Sequence, residues 1–315
     1  MSTQKSITSI TSMFNKKQKK AFDLMVKGDN IFVSGPAGTG KSFVIEKYKE
    51  MYKYTKKIAT CSTTGVSAIL IGGVTLHSYL GIGLGNGDFN TLLKFVLRKP
   101  HIKTRWENVD VLIIDEISML DPDLFDKLEY IARQIRCNRL PFGGIQIIAS
   151  GDLLQLSPIK SDLFCFQTKA WEDCKIKTIC LDEIVRQKDI AFQTCLNEIR
   201  FGIISDKTKE LLNSRVGVKL VNDMNIIPTK LYSLNQDVNR INDLELDKLA
   251  SLGNEFNEYK MEFTCYDYKN KTTLIDNFIK NSVVPTELQL CVGANVMLLW
   301  NLDVERELVN GSIGI

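Results

Sequence analysis

The sequence predicts an α/β fold built on a doubly wound parallel sheet, and three observations lead there. Apolar runs of strand length recur at Ile31–Ser34, Lys57–Cys61, Val109–Ile114, Ile145–Ser150 and Ile176–Leu181. Helix-length stretches separate them, at Ser42–Tyr52, Pro122–Ile135 and Ala191–Phe201. Strands apolar on both faces and alternating with helices belong in a parallel sheet covered on both sides. From Asp206 the rhythm changes, which predicts a second domain starting between residues 185 and 205. There, Asp237–Leu252 reads as an amphipathic helix ended by Gly253, and Glu262–Tyr266 and Lys271–Ile275 read as strand fragments.

The bulk properties allow this. At 315 residues, 44% hydrophobic and 24% charged, the chain is long enough for two domains of globular composition. No apolar run reaches membrane-spanning length, so no transmembrane helix is expected. The first 22 residues are rich in Ser, Thr and Lys, and no acidic residue precedes Asp23. They read either as a mitochondrial-type presequence or as a lead-in to a first helix. Eight scattered cysteines form no C-x-x-C pair, and His77 and His101 stand apart from them. That argues against zinc and suits a reducing, intracellular compartment.

The net charge of +3 conceals an asymmetry. Residues 1–109 hold 17 Lys/Arg against 6 Asp/Glu, leaving 23 against 31 for the remainder. The basic part faces a polyanion or presents a solvated lysine-rich surface.

The sharpest motif is Gly35, Pro36, Ala37, Gly38, Thr39, Gly40, Lys41 and Ser42, which fits G-x-x-x-x-G-K-[ST] between a strand and a helix. Small residues let backbone N–H groups turn inward around phosphates at a helix N-terminus. Lys41 then reaches the terminal phosphates of ATP, and the Ser42 hydroxyl is placed to hold Mg²⁺. A second apolar strand ends in Asp115 and Glu116. Asp115 is the expected Mg²⁺ partner; Glu116 is placed to activate the attacking water. A third strand runs into Gly151 and Asp152, and Gln155 beyond it is the candidate sensor of the γ-phosphate.

In this order the motifs resemble superfamily 1 DNA helicases of the petite-integration-frequency (PIF) family, relatives of the RecD helicases. Phe14 to Gln18 resembles the family's adenine-reading motif, with Gln18 as the base reader. Ser62 to Ala68 and Gly72 to Gly83 resemble two segments that grip single-stranded DNA, through Thr64, Gly65, Thr75 and His77. Taken alone, His77 reads equally as a hydrogen-bonded core residue, whereas His77 and Tyr79 as stacking faces would suit any base. The run Asp115 to Met119 is similar to the family's carboxylate motif, and Asp121 to Gln146 to its distinguishing signature. Val185 to Asp189 is similar to the arginine-finger motif, with Arg186 as the finger. Asn235 to Asn242 resembles the opening of the second motor domain; Gly293 to Asp303 and Leu308 to Ser312 resemble the start of a small β-barrel.

The resemblance implies two RecA-like domains whose cleft closes on ATP and reopens on hydrolysis. It divides the chain into a lead-in with the adenine motif (1–22), a RecA-like ATPase domain (23–185), a partial second RecA-like domain (186–285) and the start of the β-barrel insertion (286–315). Residues 84–105 would insert as a duplex-splitting wedge, although Phe89, Phe95 and Trp106 serve equally well as a minor core. The family pattern continues with a Gln-Gly-Thr segment and a final arginine motif absent here, so a longer polypeptide or a partner chain is expected to supply them. The implied activity is ATP- and Mg²⁺-dependent, 5′-to-3′ unwinding of DNA in replication, repair, recombination or telomere maintenance. Its implied partners are single-stranded DNA and duplex junctions, engaged by a monomeric motor without any membrane. The implied location is the nucleus or mitochondrion of a cell, or a viral replication site. A P-loop ATPase of another class and an inactive DNA-binding fragment are the alternatives.

Overall fold

The computed structural model describes residues 12–159, 161–218, 229–264, 275–276, 279, 284–299, 302–303, 306, 308 and 311–315. The chain divides into two compact units, residues 1–216 and 217–315. Among the described residues no helix is long and apolar enough to cross a membrane.

The first unit is organised by a six-stranded sheet: β1 (Ile31–Ser34), β2 (Ile58–Ser62), β3 (Val74–Thr75), β4 (Val111–Asp115), β5 (Gln146–Gly151) and β6 (Lys177–Cys180). Its spatial order is β3-β2-β4-β5-β1-β6, and every pairing is parallel. All five predicted strands are present. The two-residue β3 is too short to leave a hydrophobic period in the sequence.

Alternation along β4 and β5 builds both faces of the sheet. Leu112, Ile114, Ile147 and Ala149 join one core cluster; Val111, Ile113 and Ile148 join the other. Helix α1 (Lys16–Val26) and helix α2 (Lys41–Tyr52) cover the second face through Phe22, Met25, Val44 and Tyr48. Between β2 and β4 the chain forms α3 (Gly65–Leu70), α4 (Leu76–Leu80), α5 (Phe89–Leu97) and α6 (Pro100–Asn108). Leu92, Val96, Ile102 and Trp106 of the last two helices are buried in the first core cluster. Trp106 donates from Nε1 to the Leu80 carbonyl at 3.0 Å, which makes it a core residue. Leu84, Phe89 and Phe95 of the same segment remain exposed.

Helix α7 (Pro122–Arg136) completes the first face. Asp121 caps it by accepting from Leu124 N, Pro122 occupies its first turn, and Arg133 and Arg136 occupy its last. Arg136 then donates to the carbonyls of Trp106, Glu107, Val109 and Gly143 at 2.7–3.0 Å. Those bonds fix the approach to β4. In the same signature, Gln146 donates to Met25 O and Asp29 O and accepts from the buried Tyr48 hydroxyl. The signature residues Arg136 and Gln146 thus brace the sheet that carries the site.

The unit continues through α8 (Lys169–Asp173), α9 (Ile190–Phe201) and α10 (Asp206–Asn213). The last two helices lie beyond residue 185 yet cluster with the first unit.

The second unit contains α11 (Asn235–Ser251), close to its predicted span, and two antiparallel pairs. These pair β7 (Asn257–Lys260) with β8 (Glu287–Leu290), and β9 (Val296–Met297) with β10 (Ile313–Gly314). The expected strand Glu262–Tyr266 is corrected, because residues 262–264 carry no regular structure and the strand lies earlier, at Asn257–Lys260. All four residues of that strand are exposed, so its polar sequence offers no alternation to detect. The rest of that expected strand and nearly all of Lys271–Ile275 fall outside the described residues, as do Trp300, Asn301 and Asn310 of the expected β-barrel motifs.

Candidate nucleotide and DNA site

The Gly35–Ser42 loop joins β1 to the N-terminus of α2. Gly40, the N-cap, has φ 85°, no side chain caps the helix, and its first turn has no acid. That leaves a positive helix end with uncapped N–H groups. Three glycines of the loop are required by close approach, the tightest being Gly35 (φ 144°), where a Cβ would stand 2.2 Å from Leu181 O. A Cβ on Gly38 (φ 80°) would stand 2.9 Å from Arg186 Cβ, and one on Gly40 would stand 2.5 Å from Gln18 Nε2. Within the loop, Lys41 Nζ donates to Gly35 O at 2.7 Å and Pro36 O at 3.0 Å, and Thr39 Oγ1 donates to Pro36 O.

Gln18 is only 4% exposed, and both ends of its amide are engaged. Its Oε1 accepts from Asn15 N at 3.1 Å, completing a capping box with Asn15, and its Nε2 donates to Thr39 O at 3.0 Å. One N–H and one acceptor direction remain for a base. The structure therefore ties the expected base reader directly to the phosphate loop.

At the end of β4, Asp115 accepts a hydrogen bond from the Ser150 hydroxyl of β5. Asp115 and Ser42, the two residues expected to hold Mg²⁺, line one small cleft with Thr60 and Ile113. Glu116 follows in a left-handed conformation, φ 53° and ψ 44°. Its carbonyl accepts from Thr63 Oγ1 at 3.1 Å, and the Asp115 carbonyl accepts from Ser62 Oγ at 3.4 Å. Burial lifts the Glu116 carboxyl above the usual range; Asp115 adds to this, Lys41 opposes it, and Asp152 adds again. Burial likewise lowers the Lys41 pKa, against the pull of Asp152, Glu116 and Asp115. Two cations, Lys41 and Arg200, and three carboxylates therefore share a single electrostatic site.

At the end of β5, Asp152 is 1% exposed and holds Arg200 of α9 in a two-pronged ion pair. Arg200 Nε donates to Oδ2 at 2.9 Å and its terminal nitrogen to Oδ1 at 2.7 Å. Gln155, exposed in the following loop, donates from Nε2 to Oδ2 at 3.1 Å. Burial alone would raise the Asp152 pKa, but these donors and Leu154 N hold it below the usual range.

The Arg186 segment also reaches the loop. Val185 N and Arg186 N donate to Gly38 O at 2.8 and 3.2 Å, and the Arg186 side chain is exposed. Just upstream, Lys17 pairs with Asp182 at 2.6 Å, and Asn15 Nδ2 donates to Glu183 at 2.8 Å.

The DNA-gripping candidates occupy neighbouring strand ends, because β2 pairs with β3 in register Ser62↔Thr75. Thr64 caps α3 through Ser67 N, and Thr75 caps α4 through Ser78 N. Gly65 is exposed with open space where a Cβ would stand. His77 is half-buried, and burial lowers its pKa, leaving a neutral ring. Tyr79 has the Arg105 guanidinium 5.6 Å from its ring, so one face is already covered.

Sequence reasoning missed Arg200 and Thr63 and passed over Asp152. A buried strand ending in Gly151-Asp152 repeats the signal that identified Asp115. Arg200 gives no such signal, because nothing in a helix-terminal arginine points to a carboxylate 48 positions away.

A parallel sheet with this loop after β1 and carboxylates ending β4 defines a P-loop nucleotide-binding protein. The PIF1-like helicase family model matches residues 13–210, and the model of the Pif1 DNA helicase 2B domain matches residues 275–315. The chain is 43% identical to uncharacterized protein 030L of invertebrate iridescent virus 6, over 96% of this chain and 63% of that protein. It is 42% identical to the ATP-dependent DNA helicase PIF1 of Saccharomyces cerevisiae, over 95% of this chain and 35% of that one. The crystal structure of Bacteroides Pif1 bound to single-stranded DNA superposes with a TM-score of 0.70 at 28% identity, covering 96% of this chain and 68% of that one. The chain belongs to the PIF1-like helicase family. It spans between 35% and 63% of the length of the first three curated relatives.

Proposed function

We propose that this protein hydrolyses ATP to move along single-stranded DNA and separate duplexes in the 5′-to-3′ direction. The observation that carries this reading is convergence at one sheet edge. Lys41 lies within electrostatic reach of Asp115, Glu116 and Asp152; the β2 end, just before Thr64, lies beside the β4 end, and the β3 end bearing Thr75 lies on the other side of β2.

In this reading Gly35, Pro36, Ala37, Gly38, Thr39, Gly40, Lys41 and Ser42 cradle the phosphates, with Gln18 bracing the loop beside the base. Ser42 and Asp115 would hold Mg²⁺, which supplies charge neutralisation on the phosphoryl oxygens when bound. Glu116 accepts the proton of the attacking water, Gln155 orients that water, and Arg186 stabilises charge developing on the γ-phosphoryl. Thr64 and Thr75 offer hydroxyls to the DNA backbone, Gly65 offers its amide, and His77 offers a neutral ring for stacking.

Residues 23–185 act as the first RecA-like domain, 186–285 as part of the second, and 286–315 as the start of a β-barrel insertion. The motor works as a monomer on single strands and duplex junctions, in replication, repair, recombination or telomere maintenance. It works inside the cell, in the nucleus or mitochondrion for a cellular protein and at the replication site for a viral one.

The test compares ATP turnover with and without single-stranded DNA, alongside unwinding of duplexes tailed at either end. DNA-stimulated turnover and preferential unwinding of the 5′-tailed duplex are expected. ATP turnover indifferent to DNA would contradict the motor reading.

A further inference from the structure

The geometry points to Arg200 as a positioning residue for hydrolysis, acting through Asp152 on the amide of Gln155. The inference rests on the proposed role of Gln155 at the γ-phosphate.

Asp152 receives four donors, two on each oxygen. Oδ1 takes the Arg200 terminal nitrogen at 2.7 Å and Leu154 N at 3.2 Å; Oδ2 takes Arg200 Nε at 2.9 Å and Gln155 Nε2 at 3.1 Å. An ionised carboxylate is an acceptor only, so the nitrogen of the Gln155 amide must face it. That choice fixes which end of the amide faces Asp152. Gln155 Oε1 is left to accept a hydrogen from the attacking water, and its second N–H is left to donate to a phosphate oxygen.

Gln155 is exposed, so core packing does not hold its side chain. Asp152 does, and Arg200 holds Asp152 ionised and in place. Arg200 is well anchored for this. It sits in the last turn of α9, where the helix dipole favours a cation, with its guanidinium 5.0 Å from the Phe201 ring centroid. Helix α9 begins just after Arg186, whose backbone bonds the phosphate loop at Gly38. One helix thereby connects the finger segment at its N-terminus with the Gln155 clamp at its C-terminus. Lys41 registers the same guanidinium electrostatically, which places Arg200 in the field of the phosphate site.

The test is steady-state ATP hydrolysis, with single-stranded DNA, by Arg200→Ala, Gln155→Ala and the double variant. Arg200→Ala is expected to lower kcat about 10²-fold with little change in KM for ATP, the mark of a misplaced catalytic group. In the Gln155→Ala background the same change should cost less than about two-fold, because the two residues act as one unit. Full additivity would overturn the proposal.

Arg200→Ala strands a buried carboxylate and is open to misfolding, so Asp152→Asn with Arg200→Gln provides a neutral hydrogen-bonded pair. This pair should melt near the parent temperature yet stay slow, because the introduced asparagine can present either end of its amide to Gln155. Recovery of both melting temperature and kcat would show a purely structural ion pair and overturn the proposal. A Gln155→Ala variant at full speed would instead overturn the sensor reading on which the proposal rests.

Discussion

The neighbouring strands β4 and β5 both end in acidic residues, and the protein treats those acids in opposite ways. Asp115 at the β4 end is met by the Ser150 hydroxyl, and burial lifts the carboxyl of Glu116 beyond it above its usual range, with Asp115 adding to the rise and Lys41 opposing it. Asp152 at the β5 end is met by a guanidinium, and its carboxyl is held below its usual range. Register places the two ends side by side. The partner therefore decides the role. A carboxylate paired with a hydroxyl is left to engage a cation or a proton, and one saturated by arginine becomes a fixed point for its neighbours.

Changes at this edge should separate the two roles. The largest effect is expected from the exposed Arg186, whose replacement by Ala should cut DNA-stimulated turnover by about 10³–10⁵-fold, read in single-turnover hydrolysis, with the melting temperature unchanged. Asp152→Ala should cost about 3–5 kcal/mol in denaturant unfolding, because it strands the mostly buried Arg200 charge. Glu116→Gln should move stability the other way, since the ionised form is disfavoured in the fold at neutral pH.

The pH dependences should split as well. Glu116 must be ionised to accept a proton, and its pKa is raised, so turnover should fall on acidification while ordinary glutamates are still ionised. The Asp152 pKa is depressed, so the stability of its ion pair is present above the ordinary aspartate range and lost only as pH falls through the depressed value. A pH–rate profile beside a pH–melting profile reads both. The smallest effect belongs to Thr63→Val, which removes the hydroxyl bond from the β2 end to the Glu116 carbonyl. Such a bond is worth about 1 kcal/mol, so the ratio of DNA-stimulated to basal turnover should fall about five-fold.

Much of this edge was legible because its chemistry is local in sequence. The Gly35–Ser42 loop follows a strand of four mostly apolar residues and the Asp115-Glu116 pair closes another, and both signals survive in a single chain. The Asp152–Arg200 clamp was not legible, because its halves approach only after β5 and α9 are both placed. Gln18 was recognised as a motif residue, yet its bond to Thr39 O depends on how α1 lies against the phosphate loop. In the second unit α11 was readable from its amphipathic period. Strand β7 was not, because every one of its residues faces solvent.

The central claim is that the β4 end is a hydrolytic centre distinct from the phosphate-binding loop. It is tested most directly by measuring ATP binding and DNA-stimulated turnover in Glu116→Gln. Nucleotide affinity within a few-fold of the parent and turnover lowered by about 10²–10⁴-fold are predicted. Turnover close to that of the parent, with affinity intact, would contradict the account.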